Sequence, residues 1–153
     1  QCLRRVFPRA LIIHTKRHPF FNIQSLLNAR KAFFGDESVW FSVKPREYDS
    51  LRDLSPVEQV AGQVYYTRQS IDGEMAVMPS ENGISLSHED FCANPRRLHV
   101  MLSDKMSELG YELSPEYRGP ASFNVSCRIA VDDKRKGEIC NAYEKISGVR
   151  LSV

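Results

Sequence analysis

Between residues 123 and 131 apolar and other side chains alternate without a break. Phe123, Val125, Cys127, Ile129 and Val131 fall on one side of an extended backbone, and Asn124, Ser126, Arg128 and Ala130 on the other. A period of two is the signature of a strand with one buried face, because successive side chains of an extended chain point oppositely. The stretch runs directly into Asp-Asp-Lys-Arg-Lys-Gly, and then into a segment with helical spacing through Ile139, Tyr143 and Ile146, closed by Gly148. A strand, a basic turn and a helix are therefore predicted for the end of the chain.

Upstream, residues 10–14 (ALIIH) read as a short buried strand. Residues 20–35 read as a helix with inward Ile23, Leu26, Leu27, Phe33 and Phe34 and a stop at Gly35. Residues 38–44 are rich in β-formers up to Pro45, and Ser55-Pro56-Val57-Glu58 is a capping box opening a short helix. Two β-prone runs flank Asp72-Gly73 within 63–79 and predict a hairpin. The stretch 81–85 (ENGIS) reads as a second turn, and 87–90 (SHED) as the cap of a brief helix. Asn94-Pro95 opens a helix with the stripe Leu98, Met101, Leu102, Met106 and Leu109, closed by Gly110, and 111–117 reads as a strand. The fold class expected is α+β, with a mostly antiparallel sheet and helices packed on one face. Its parts are a basic segment with strand and helix (1–35), a mixed segment with a hairpin (36–93) and an α-β-β-α unit (94–153). With 153 residues, one domain accommodates all three.

The last unit resembles a degenerate double-stranded-RNA-binding domain. The resemblance rests on Gly110 and Tyr111 after the first helix, Pro115-Glu116-Tyr117 entering one strand, and Gly119-Pro120 before the next. The inward Phe123, Val125, Cys127 and Ile129 and the basic Lys134, Arg135 and Lys136 at the start of the last helix complete it. It covers about residues 94–150 and departs from the family in a shorter first hairpin loop and in the space left for a third strand. It implies binding to structured RNA through shape, 2′-hydroxyls and phosphates. Lys134, Arg135 and Lys136 would meet a phosphate at a helix N-terminus. Ser103 and Ser107, with Asp104 and Glu108, would offer polar groups to ribose.

Charge distribution points the same way. The first 35 residues hold Arg4, Arg5, Arg9, Lys16, Arg17, Arg30 and Lys31 and none of the 19 acidic residues. A basic, acid-free arm suits phosphates or an acidic protein surface, and also resembles the later part of an organellar import sequence. The function expected is a non-catalytic, RNA-associated subunit of a ribonucleoprotein assembly, such as an organellar ribosome or RNA-processing complex. Its partners would be structured RNA, protein subunits or both, in an intracellular setting that includes the mitochondrion. No cofactor, metal, membrane span or small-molecule substrate is implied. The histidines and cysteines lack the tight pairing of a zinc site, and no apolar run is long enough for a bilayer.

Two other classes fit parts of the pattern. Four cysteines and the sequon at Asn124 suit a small secreted toxin or effector held by two disulfides. His14, His88 and His99 would serve an acid/base ribonuclease. Trp40, Phe41, Tyr65 and Tyr66 could stack on unpaired bases, but their β-prone setting reads as core.

Overall fold

The computed structural model describes residues 6–7, 10–125 and 127–153. β1 spans Ile12–Lys16, α1 Pro19–Phe34, α2 Tyr48–Leu51, α3 Pro56–Ala76, β2 Gly83–Ser87, α4 His88–Ala93, α5 Pro95–Glu108 and α6 Asp133–Ser147. A turn of 3-10 helix at Ser80–Asn82 precedes β2. The class is α+β. The described residues divide into two compact units. The helical unit joins His18–Ile71 to Cys127–Val153, and the strand unit joins the residues up to Arg17 to those from Asp72 to 125.

In the helical unit each long helix has a local reason to start or stop. Pro19 begins α1 with a φ suited to the first turn, and Gly35 ends it in the left-handed region at φ 72°, donating its N–H to the Lys31 carbonyl at 2.9 Å. At the start of α3 the Ser55 Oγ–H and N–H donate to Glu58 Oε2, at 2.6 and 3.2 Å, as the capping box requires. Asp132 caps α6 by accepting from the Arg135 N–H at 2.7 Å, and Gly148 closes it. The three helices enclose Phe20, Ile23 and Leu27 from α1, Val57, Val60, Ala61 and Val64 from α3, and Ile139, Ala142 and Tyr143 from α6. Fully burying such side chains stabilises by about 1.5–3 kcal/mol each before the entropy cost.

The strand unit holds a two-stranded sheet. β1 and β2 are parallel, in register from Ile12 opposite Gly83 to Lys16 opposite Ser87. The Asn82 amide ties the strand entry to the Ala10 carbonyl at 3.0 Å. Ser87 caps α4 and Asn94 caps α5, each accepting from a backbone N–H in the first turn. The stripe on α5 is only half-buried, so this unit has the thinner core.

Four expectations are corrected. The sheet is parallel and two-stranded rather than mostly antiparallel, and β2 lies where a turn was read. Residues 63–76 continue α3 instead of forming a hairpin, because Val57, Val60, Ala61 and Val64 already commit the segment to a helical face. Residues 38–44 are irregular, and Gln63 Nε2 donates to the Phe41 and Val43 carbonyls, both at 2.8 Å.

The fourth concerns the alternating stretch. Among the described residues, 111–125 and 127–131 form no strand, so the α-β-β-α arrangement is not present in them. Gln24 takes the place of a neighbouring strand: its Nε2 donates to the Arg128 carbonyl at 3.0 Å, and its Oε1 accepts the Ala130 N–H at 2.8 Å. Earlier in the stretch, Phe123 donates its N–H to the Cys92 carbonyl at 2.7 Å and stacks on Phe91. The alternation is in the sequence, but among the described residues this stretch pairs with no strand.

Candidate nucleic-acid interface

The basic cluster at the head of α6 is largely committed within the helical unit. Lys134 is exposed. Arg135 forms ion pairs with Glu37 and Glu138, and Lys136 Nζ donates to the Val153 carbonyl at 2.9 Å. The Asp132 carboxylate already occupies the capping position at this helix start, where a phosphate would otherwise be received.

The N-terminal cations disperse. Arg4, Arg5 and Arg9 lie outside the described residues. In the strand unit, Lys16 pairs with Asp72 at 2.7 Å, and His14 Nδ1 lies 3.6 Å from the same carboxylate oxygen. Arg17 is half-buried, and on α5 Ser103 is half-buried while Ser107 is exposed. In the helical unit Lys31 is exposed in the last turn of α1. Arg30, expected among the phosphate-binding cations, is fully buried and cannot reach a phosphate.

Instead Arg30 is the hub of a polar core. Its Nη1 donates to Gln59 Oε1 at 2.8 Å and to the Glu37 carbonyl at 3.0 Å, and its Nη2 donates to Gln63 Oε1 at 3.4 Å. The guanidinium lies 4.9 Å from the centre of the Trp40 ring, which meets Tyr48 edge-on. Burial lowers the Arg30 pKa, with Glu37 opposing. Gln59 Nε2 in turn donates to the Arg52 and Leu54 carbonyls, at 2.8 and 3.0 Å. The loop from Glu37 to Leu54 is thus pinned at five carbonyls by three side chains (Arg30, Gln59 and Gln63).

The end of α1 and this pinned loop present apolar groups to solvent. Phe33 is 71% exposed, Val43 62%, Phe34 49% and Val39 40%. The Phe33 and Phe41 rings stack at 5.3 Å with 26° between planes, and Phe34 approaches Phe41 at 6.1 Å. Sequence reasoning placed Phe33, Phe34 and Phe41 in the core. The signal against Phe33 was its phase: at about 100° per residue it lies well away from the stripe through Phe20, Ile23, Leu27 and Arg30. Phe34 lies on that stripe, but a turn beyond the end of the core. Trp40 and Tyr65 do serve as packing groups, Tyr65 meeting Tyr143 edge-on at 6.0 Å.

The strand unit carries an open cleft of about 400 Å³ lined by Lys16, Asp72, Met75, Met78 and Ser85, and a smaller cavity of about 70 Å³ lined by Asp90, Phe91, Arg97, Leu98 and Met101. The three histidines proposed for acid/base work have separate neighbours: Asp72 for His14, Cys92 Sγ at 3.6 Å for His88, and the Tyr117 ring for His99. Cys92 is only 3% exposed, which closes its thiol to a substrate. No group of three or more His, Cys, Asp or Glu side chains converges among the described residues, and no helix there is long and apolar enough to cross a membrane. No protein-family model, curated protein or solved structure matches this chain.

Proposed function

We propose that this protein is a non-catalytic, RNA-associated subunit of a ribonucleoprotein assembly, of the kind found in organellar ribosomes and RNA-processing complexes. The observation that carries the reading is charge segregation: seven cations and no acid in the first 35 residues, of which Arg30 is buried and Lys16 pairs with Asp72. Such a segment gains affinity by releasing counterions from the nucleic-acid backbone. The exposed Lys31 and Lys134 add to it from the helical unit. His88 and His99 stand apart from each other and from His14, and His14, although beside Asp72, is only 9% exposed, which favours binding over cleavage.

A salt titration of binding to a structured RNA tests the proposal. Affinity is expected to fall by about a hundredfold or more between about 50 and 200 mM salt. Replacing Lys31 and Lys134 with Glu is expected to reduce the logarithmic slope by roughly one unit for each phosphate no longer neutralised. Absence of binding at the low-salt end would overturn it.

A further inference from the structure

The Phe33–Phe41 pair has the geometry of an unfinished stack. Phe41 covers one face of Phe33, and with 71% of Phe33 exposed the opposite face is open to solvent. Resting on the RNA reading above, we propose that this pair is a stacking site for an unpaired base of single-stranded RNA, with Lys31 and Lys44 flanking it for the adjoining phosphates. Every base has a π-face, so such a platform binds without sequence preference. A duplex keeps its bases paired and stacked inside an A-form helix and offers no face to the ring.

Three features support this occupant. The platform is held in advance: Gln63 fixes the carbonyls of Phe41 and Val43, and Arg30 fixes that of Glu37, so little ordering is left for binding. Exposed cations flank the pair in sequence. Lys31 is exposed three residues before Phe34, one helical turn away, and Lys44 follows Val43 with its ammonium 4.0 Å from the centre of the Tyr48 ring. Of the acids that follow Phe34, Glu37 pairs with Arg135, while Asp36 accepts from the N–H and Oγ–H of Ser38 and stays ionised, so the phosphates are expected on the Lys31 and Lys44 side. Clustered solvent-facing apolar groups at the end of α1 and on the held loop are also of the kind that serve as a binding surface.

Fluorescence anisotropy with a short labelled oligouridine and a matched RNA duplex tests the site. The single strand is expected to bind more tightly than the duplex. Phe33→Leu and Phe41→Leu keep apolar bulk but remove the ring, and each is expected to weaken single-strand binding about five- to a hundredfold without changing the salt slope. Phe33→Tyr is expected to retain binding. If the Leu variants bind as the parent does while RNA binding persists, the platform is refuted and the RNA reading stands. If the parent binds no RNA at low salt, both fall. If sedimentation shows self-association that Phe33→Leu abolishes while RNA binding is unaffected, the surface joins copies of the chain and the stacking site is refuted. Phe33 is mostly exposed, so its variants are expected to keep the parent's thermal unfolding midpoint, and that measurement separates misfolding from removal of the stacking ring.

Discussion

At the scale of single residues, three glutamine side chains hold irregular backbone that has no sheet partner. Gln24, Gln59 and Gln63 are each less than a tenth exposed, and each bonds backbone groups of a segment lacking a strand partner. A buried carbonyl left unpaired costs about 1–3 kcal/mol, so the amides contribute chiefly by preventing that loss. Gln63→Leu, close in size but unable to donate, is expected to destabilise by about 2 kcal/mol in urea unfolding. No change in midpoint would show that the loop carbonyls turn to water instead. Glu58 supplies a second test. Its carboxylate is held at about 2, against an ordinary 4.5, first by the hydrogen bond from Lys145 and then by Ser55. A lowered native pKa means the contribution is complete above pH 4.5 and disappears as the pH falls toward 2. Lys145 is largely exposed, so screening reduces the effect to about 1 kcal/mol. Stability measured down that window should fall further in the parent than in Glu58→Gln; parallel curves would contradict the assignment.

At the scale of elements, the helix ends were readable and the sheet was not. Ser55-Pro56, Asn94-Pro95, Gly35 and Gly148 act through their own backbone and nearest neighbours, so their effect survives in any fold. A strand requires a partner, and alternation at 123–131 carries no information about whether one exists. Asp72-Gly73 misled for a related reason. It is a strong hairpin signal only when the flanking runs pair, and here the helical face set upstream by Val57 to Val64 carries the chain through it. The candidate site divides the same way: the basic residues were visible, but the burial of Arg30 and the exposure of Phe33 depend on where α3 packs. Gly73 makes the difference measurable. A Cβ there meets nothing within 4 Å, so Gly73→Ala is expected to stabilise a helix by about 0.5–1 kcal/mol. In a primed hairpin turn the same change would destabilise, since that glycine needs positive φ.

At the scale of the whole molecule, the helical unit contains the well-filled core and the proposed RNA-facing surface, and the strand unit contains the clefts. The cysteines separate the two broad settings for such a chain. Cys92 is buried and Cys140 half-buried, each as a thiol. The account expects four titratable thiols in denaturant without reductant. A result of none would place the protein among disulfide-held secreted chains.

The most direct measurement is a backbone amide NMR titration of the intact protein with a short oligouridine. The account predicts shift changes concentrated at Lys31 to Phe34 and along residues 39–44, saturating together. Changes confined to α5 and the head of α6, or none at low salt, would contradict it.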